Sequence, residues 1–306
     1  MKWGKQAGKQ RYKCKNCGIL YCEQRKDVRL QNRFVWFKKW ILERQTYQSL
    51  SRESGYSKAS LQRFFYEYLA QAPILKIQNK RTLHMRMDGT YFKQFCLITY
   101  QDHYSNYTQL IRFSEDEKYE EIKEDLQNLL RLGLKIDSMT VDGHKGTLKA
   151  IREVLTETKI QRCLVHLQRQ SLIWLTKRPK HEPAKDLRKL VLMISKITTH
   201  NDKADWLNQF KNWEKTHKSF YQQKSFNQNT DRYWYTHKLL RRTYMYIKSA
   251  IPNMFYFLED GAIPKTTNGI EGFFSHLKNH LDVHRGLSLE HRKNFIKWYI
   301  FFSNKK

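Results

Sequence analysis

The chain of 306 residues is poor in cysteine, poor in acidic residues and without long apolar runs. Its 5 cysteines are too few and too unevenly spaced for a disulfide framework, so we expect reduced thiols. No run approaches the roughly 18 apolar residues of a membrane span, and the first residues lack the apolar core of a signal peptide. Internal repeats and low-complexity tracts are also missing. These absences argue against a secreted disulfide scaffold and a membrane protein, and they predict a soluble intracellular protein.

What the chain has in excess is positive charge. Its 57 Lys and Arg residues outnumber 29 Asp and Glu residues and give a formal net charge of +28. A surplus of this size predicts a polyanionic partner, and DNA or RNA is the expected one. A hydrophobic content of 40% with 14% aromatic residues predicts a folded protein with one large core or two to three smaller ones.

Residues 1–33 contain one sharp feature, the C-x-x-C-G motif that runs from Cys14 through Cys17 to Gly18. This is one zinc knuckle, in which the glycine lets backbone amides turn towards the thiolates. Because a closed structural zinc site needs four ligands, Cys14 and Cys17 supply only half, and Cys22 would be a third at an unusual spacing. The segment is either a partial zinc ribbon that binds Zn²⁺ or a remnant that binds none.

Residues 34–72 have the periodicity of a small helical domain. Gly55 interrupts the second helix, and Ser57 is a suitable N-cap for a third. This pattern predicts a helix-turn-helix that would place Lys58, Ser60 and Arg63 against DNA. The alternative is a three-helix packing unit with no DNA contact.

From residue 82 the pattern changes to alternating strands and helices. The predicted strands are Leu83 to Asp88, Phe95–Tyr100, Tyr107–Phe113, Ile136–Asp142 and Ile160–Val165, with helices at Tyr119–Leu132 and Thr147–Leu155. Three consecutive strands suggest an antiparallel meander, and the later alternation suggests parallel strands with right-handed crossovers. Residues 82–166 are therefore expected to form an α/β domain with a mixed sheet.

Strand patterns are absent from residues 167–264, which we expect to be an all-α insertion. Thr267 is a suitable cap for a helix that begins at Asn268, and Glu271 falls in the first turn of that helix. Residues 265–306 are expected to complete the α/β domain.

Asp88, Asp142 and Glu271 are the candidate catalytic and metal-binding residues. Two divalent ions about 3.5 to 4 Å apart can activate a nucleophile, neutralise phosphoryl oxygens and stabilise a departing alkoxide. Hard ions such as Mg²⁺ prefer carboxylate oxygens, so the three acids suffice if the two strands are neighbours. Taken singly, an Asp before Gly is more often a turn residue, and a Glu in a first helical turn often only complements the helix dipole.

The order of these motifs along the chain indicates a function more specifically than any single motif does. A helix-turn-helix, then Asp88-Gly, Asp142-Gly, Cys163-x-x-His166, a long helical insertion and Thr267-Asn-x-Ile-Glu271 resembles the Mutator-like DDE transposases of bacterial insertion sequences. The resemblance covers nearly the whole chain. It implies a ribonuclease H-like domain in which Asp88, Asp142 and Glu271 hold two Mg²⁺ or Mn²⁺ ions.

The same resemblance assigns supporting residues. Cys163 and His166 would support the site, and Lys278 and Arg285 belong to a basic segment that would contact DNA. The implied partners are double-stranded DNA, as transposon ends and as target, and further copies of the chain in a homodimer or larger assembly. The implied location is the bacterial cytoplasm, at the nucleoid.

The sequence leaves other functions open. A DNA-binding regulator with an inert carboxyl-terminal domain, a nuclease that cuts without joining, and a catalytically dead transposase copy are each compatible with these motifs.

Overall fold

The computed structural model describes residues 1–22, 26–79 and 81–305, without the side chains of residues 26–29. Residues 23–25 of the predicted zinc-ribbon segment lie outside this description. The chain divides into two compact units. The first unit contains Met1–Ile74 and Leu277–Lys306, and the second contains Leu75–His276.

The amino-terminal elements are a small antiparallel sheet followed by three helices. They are β1 (Lys2–Gln6), β2 (Lys9–Lys13), β3 (Leu20–Cys22), α1 (Lys26–Leu42), α2 (Tyr47–Ser54) and α3 (Lys58–Leu69).

The remaining elements alternate before they become mainly helical. They are β4 (Leu83–Tyr91), β5 (Cys96–Asp102), β6 (Thr108–Ser114), α4 (Tyr119–Arg131), β7 (Ile136–Val141), α5 (Lys145–Val154), β8 (Lys159–Arg162), α6 (Leu164–Leu175), α7 (Glu182–Met193), α8 (His200–Gln222), β9 (Lys224–Asn227), β10 (Arg232–Tyr235), α9 (Lys238–Ala250), α10 (Tyr256–Glu259), α11 (Asn268–Leu281) and α12 (Leu289–Ser303).

A sharp turn separates α2 from α3. Gly55 ends α2 in the left-handed conformation, with a φ of 73°, and donates its N–H to the Ser51 carbonyl. The Ser57 hydroxyl accepts the Ser60 N–H at 3.2 Å and so caps α3, as the sequence predicted. The inner face of α3 is fully or almost fully buried at Leu61, Phe64, Phe65 and Leu69. Burial of this face fixes which side of α3 remains exposed.

Helix α12 packs within the first unit. Trp298 donates its indole N–H to the Tyr68 carbonyl at 3.0 Å, and Asn294 donates to the Leu69 carbonyl at 2.9 Å. The predicted final segment of the α/β domain, residues 265–306, is therefore divided between the two units, with the division at Leu277 inside α11.

A five-stranded mixed sheet forms the centre of the second unit. Its strand order is β6-β5-β4-β7-β8, in which β4, β5 and β6 are antiparallel and β7 and β8 run parallel to β4. This arrangement confirms the predicted meander followed by parallel strands. Helices α4 and α5 pack on the sheet through one apolar core that includes Ile122, Leu126 and Ile151.

The prediction of an all-α insertion is wrong in one place. Strands β9 and β10 form an antiparallel hairpin, in which Phe226 pairs with Tyr233. The Phe226 and Tyr233 rings lie 4.6 Å apart between centroids. The turn residues between Asn227 and Arg232, followed by three consecutive aromatic residues, favour this hairpin over the helix expected in this part of the insertion. None of the helices that the structure describes is both long enough and apolar enough to cross a membrane.

The segment that leads into α11 is fixed to the sheet. The buried Thr140 hydroxyl, on β7, donates to the Pro264 carbonyl at 2.7 Å. The Leu164 N–H donates to the Lys265 carbonyl at 3.0 Å. These bonds join parts of the chain that are more than 100 residues apart.

We predict that Thr140→Val lowers the free energy of unfolding by about 1–3 kcal/mol, because the isosteric change leaves the Pro264 carbonyl unpaired. Hydrogen exchange of the amides from 265 to 271 should also accelerate. The matched control is Thr158→Val, since Thr158 donates to the Ile136 carbonyl at 2.7 Å at the other end of β7. Faster exchange at 265–271 in both variants, or in neither, would contradict the prediction.

Candidate functional site

Asp88 lies in β4, the central strand of the sheet, and is only 7% exposed. Its Oδ1 accepts the Gly89 N–H at 3.0 Å. The pKa of Asp88 is raised to about 6, mainly by burial; His166 opposes this rise, and the carboxylates of Asp142 and Glu271 contribute to it. Asp88 therefore lies within electrostatic reach of both other predicted acids.

Asp142 directly follows β7, the parallel neighbour of β4. The strand register pairs Arg86 with Thr140, so Asp88 and Asp142 come two residues later at the same level of the two strands. The Asp142 Oδ1 accepts the His144 N–H at 2.8 Å, in the turn that begins α5. The condition set by the sequence, that the two strands be neighbours, is met.

Arg162 fixes the backbone at Asp142. It is 2% exposed, and its Nη2 donates to the Asp142 carbonyl at 3.3 Å. The Arg162 guanidinium fills the space that a Cβ at position 143 would need, and Gly143 has a φ of 95°. Only glycine satisfies both the conformation and the close approach at this position.

Glu271 lies in the first turn of α11, as the sequence predicted. Its Oε2 accepts a hydrogen bond from Arg169 Nη2 at 3.2 Å. Its Oε1 is buried and lies 3.4 Å from His166 Nε2, but it has no hydrogen-bond partner among the described residues. A buried carboxylate oxygen of this kind is an available ligand for a cation.

Cys163 and His166 lie at the start of a helix, and the prediction that the strand from Ile160 continues to Val165 is wrong. Strand β8 stops at Arg162, and the Leu167 N–H bonds to the Cys163 carbonyl as the first helical bond of α6. The apolar run from Cys163 to Val165 has the composition of a strand, but it forms the start of this helix, where Cys163 and Leu164 are buried.

The two side chains form a compact polar group with Thr267. The Cys163 sulfur lies 3.3 Å from His166 Nδ1 and accepts the Thr267 N–H at 3.3 Å. The hydrogen bond with Cys163 raises the pKa of His166 to about 9, against the effect of burial. Burial alone would raise the pKa of the Cys163 thiol, but His166 and Thr267 outweigh it and the pKa is lowered. His166 thus presents a positively charged imidazole towards Glu271.

Asp88, His166 and Glu271 form a group whose ligand atoms all lie within 4.8 Å of one another. Two carboxylates, one of them with a buried oxygen that makes no hydrogen bond to the described residues, fit a hard divalent cation. Asp142 lies outside this closest group, although its charge acts on Asp88. The acids are therefore brought near one another, with Asp88 in the middle.

Glu117 is an acid near this group that the sequence reasoning missed. It lies between β6 and α4, and burial raises the pKa of Glu117 to about 8, with Asp142 and Asp88 as the next causes. Its sequence context, Ser-Glu-Asp-Glu before a helix, is typical of acids that complement a helix dipole. No signal in the sequence separates Glu117 from the exposed Glu115 and Asp116.

A cavity of about 600 Å³ opens beside Asp142. The Arg242 guanidinium lies 4.3 Å from the centroid of the Trp174 ring, and Arg162 lies 5.2 Å from that of Tyr246. Trp174, Arg242 and Tyr246 all line the cavity. The surroundings of Asp142 are therefore aromatic and basic.

The predicted DNA-contacting residues lie in the first unit. Lys58 and Arg63 are exposed on α3, and Ser60 is half-buried beside its cap. Lys278 is in α11, and Arg285 donates to the Asp282 carbonyl at 3.3 Å just after that helix.

The structure gives the zinc prediction no support. Cys17 is exposed and Cys14 is partly exposed. Within residues 1–22, 26–79 and 81–305, these two cysteines belong to no group of three or more side chains that could hold a metal ion.

The chain matches one known protein family. A family model described as "Transposase, Mutator family" matches residues 105–269, more than half of the chain. A search of curated proteins found no match. Among solved structures, the chain is similar to one from the cryo-EM structure of the simian T-cell lymphotropic virus intasome in complex with PP2A regulatory subunit B56 gamma. That similarity has 13% identity, a TM-score of 0.22, and covers 50% of this chain and 70% of the other.

We predict that Gly143→Ala lowers the free energy of unfolding by about 1–3 kcal/mol, because a Cβ would be strained at this φ and would displace Arg162. The control is Gly261→Ala, since a Cβ added at Gly261 would meet no described atom within 4 Å and the φ there is not left-handed. Urea unfolding measures both. Equal effects of the two substitutions would show that the approach of Arg162 does not constrain position 143.

Proposed function

The chain belongs to the Mutator family of transposases, and from this we propose that it is a DNA transposase. It would bind terminal inverted repeats and catalyse phosphodiester hydrolysis followed by strand transfer. Water would first free a 3′ hydroxyl at the end of the element, and that hydroxyl would then attack target DNA.

The main support for the proposal is that acids distant in sequence lie close together near the carboxyl ends of the parallel strands β4 and β7. Asp88 and Asp142 lie at the same level of neighbouring parallel strands, and Asp88 and Glu271 fall within one group of candidate ligand atoms. A sheet of three antiparallel strands continued by parallel strands supports a ribonuclease H-like domain. In that domain Asp88, Asp142 and Glu271 form the DDE triad.

The residues present fit the cofactor that this activity implies. Asp88, Asp142 and Glu271 would hold two Mg²⁺ or Mn²⁺ ions, which, when bound, lower the pKa of water and neutralise charge on the phosphoryl oxygens. Crowded carboxylates ionise more readily once a cation is bound, so metal binding and proton release are coupled.

Other side chains hold these acids in place. Arg162 fixes the Asp142 backbone, and the Cys163–His166–Thr267 group presents a positive imidazole to Glu271. Arg169 neutralises part of the Glu271 charge. We assign Cys163 and His166 the role of positioning Glu271.

The cavity beside Asp142 suits a DNA strand that enters the site. Guanidinium groups can contact phosphates, and aromatic rings can stack on an unpaired base. Trp174 and Arg242 supply both kinds of group at one wall.

DNA recognition is proposed for the first unit. Helices α2 and α3, joined through Gly55, form a helix-turn-helix in which Lys58, Ser60 and Arg63 lie on the outer side of α3. Lys278 and Arg285 would add phosphate contacts. Since two transposon ends must be joined, we propose a homodimer or larger assembly, acting at the bacterial nucleoid.

We predict that Asp142→Asn reduces metal-dependent nicking by about a thousandfold or more and leaves the affinity for end DNA unchanged, because only a metal ligand is lost. Supercoiled DNA carrying the inverted repeats that flank the gene is the substrate, with Mg²⁺ or with a chelator. The control is Asp137→Asn on the same strand, where Asp137 lies 4.0 Å from both His84 and Lys159.

The same assay separates the competing functions. Wild-type protein that binds these repeats but never nicks them would be a regulator or a dead copy, and nicking without strand transfer would indicate a nuclease. Full nicking by the Asp142→Asn variant would refute the proposed site.

We predict that Arg63→Ala weakens binding to the terminal repeats by about 1–3 kcal/mol, because it removes a contact of the recognition helix. Fluorescence anisotropy with the repeat duplex measures the change. The control is Lys38→Ala, an exposed cation on α1 of the same unit. Equal losses in the two variants would indicate binding by net charge and not by α3.

A further inference from the structure

A buried arginine on β4 has no carboxylate partner. Arg86 is 4% exposed, and its Nη2 donates to Gln101 Oε1 at 2.7 Å and to Asn106 Oδ1 at 2.6 Å. Its Nε is buried without a hydrogen-bond partner, and no Asp or Glu in the described part of the chain forms a salt bridge with it. The Asp102 carboxylate on β5 is paired with Arg81 instead. The positive charge of Arg86 is therefore bonded only to neutral amide groups.

Arg86 lies near the acid site, on the same face of the sheet. Arg86 and Asp88 are two residues apart in β4, so their side chains leave the same face of the strand. A Cβ added at Gly269 would collide with Nη1 of Arg86, which places the guanidinium against the backbone of α11, two residues before Glu271. Gly269 therefore leaves room for this guanidinium.

Arg86 forms part of the wall of a cavity of about 410 Å³, whose lining shares no residue with that of the cavity beside Asp142. The other polar side chains that line it are His103, Thr198, Lys265 and Thr266. None of the described residues in this lining is an Asp or a Glu. The wall therefore has positive charge and hydrogen-bond donors, and no negative charge.

Lys265 adds a second cation to this wall. Its backbone is fixed because its carbonyl accepts the Leu164 N–H at 3.0 Å, and its half-buried side chain forms no salt bridge with the residues that the structure describes. His103 has a buried Nδ1 without a hydrogen-bond partner. Burial lowers the pKa of His103, with Arg86 as the next cause, so the imidazole is neutral at pH 7 and can donate one hydrogen bond.

A buried guanidinium is costly to keep without a counter-charge. Two cations and several neutral donors around one cavity fit an anion that has more than one acceptor oxygen. A phosphate group has this chemistry, and guanidinium groups bind it through paired N–H donors.

We infer that the cavity lined by Arg86 and Lys265 is a binding site for a phosphate group, and that on the DNA substrate it holds a backbone phosphate near the bond that is cut. The second part rests on the proposed function. The inference explains why a positive charge is buried close to the acids and yet forms no salt bridge with any acid in the described ranges.

The first test is thermal unfolding of the full-length protein in sodium phosphate and in sodium chloride at equal ionic strength. Phosphate should raise the Tm of the wild type, because an anion that binds only the folded state stabilises it. Lys265→Gln removes one cation and should weaken phosphate binding about tenfold, so that most of the Tm rise is lost. The matched control is Lys211→Gln, at an exposed lysine of α8 in the same unit, which should keep the wild-type rise.

Two results of this test would overturn the phosphate site. One is a wild-type Tm that phosphate does not raise. The other is an equal rise in the wild type and in Lys265→Gln.

The second test separates a DNA phosphate from free phosphate. Single uncharged methylphosphonate groups replace the phosphates of the repeat duplex one at a time around the nicked bond, and fluorescence anisotropy measures binding. At one position the replacement should weaken wild-type and Lys211→Gln binding about tenfold. It should have little further effect on Lys265→Gln, because both changes remove the same contact. Additive effects at every position would overturn the assignment to DNA and leave a site for free phosphate.

Nicking of the repeats distinguishes the inference from the proposed function. If the wild type nicks DNA with Mg²⁺ and neither test depends on Lys265, the inference fails and the proposed triad stands. If phosphate raises the Tm through Lys265 and the wild type never nicks DNA, the phosphate site stands and the proposed function fails.

Discussion

Mutual repulsion between carboxylates is the interaction around which the second unit is organised. Asp88 is almost completely buried, and its neighbours include Asp142, Glu271 and Glu117. Two effects offset the repulsion in the metal-free protein. Burial and neighbouring carboxylates raise the pKa of Asp88 to about 6 and that of Glu117 to about 8, which favours a retained proton on Glu117 at neutral pH, and the cations His166 and Arg169 face Glu271. A bound divalent ion would reduce the repulsion between the carboxylates in place of the proton and the cationic side chains.

This arrangement needs a rigid frame because the acids come from distant parts of the chain. Asp88 and Asp142 are fixed by the register of β4 and β7, which pair directly. Glu271 lies on a helix, outside the sheet. Its place depends on Thr140, which bonds to Pro264, and on Thr267, which bonds to Cys163. The C-x-x-H motif therefore contributes to the geometry of an acid about a hundred residues away.

Local patterns predicted much of this fold. The alternation from Leu83 to Asp88, the antiparallel meander, the Ser57 cap and the helix that carries Glu271 are present as expected, because each depends on neighbours in sequence. The limits of β8 were wrong, since an apolar run suits a buried helix start as well as a strand. The β9–β10 hairpin was missed because its strands are only four residues long and lie among long helical segments.

Features that depend on tertiary packing could not be predicted from local sequence patterns. Glu117 differs from Glu115 only in what surrounds it in space, and Arg162 gives no sign in the sequence that it would lie against Gly143. The zinc prediction had two cysteines to support it, and the described residues add no further ligand. The return of α12 to the first unit depends on contacts such as that between Trp298 and Tyr68, which no periodicity encodes.

The helical insertion has an apolar core of its own, separate from the core beneath the sheet. The core of the insertion is formed by buried residues between Leu164 and Phe255, and the core beneath the sheet by buried residues between Leu83 and Ile160. Because packing defects are felt mainly by residues that share a core, substitutions in one are expected to be nearly additive with substitutions in the other. Substitutions that reshape the cavity wall of the insertion are thus expected to leave the strand geometry beneath the acids unaltered.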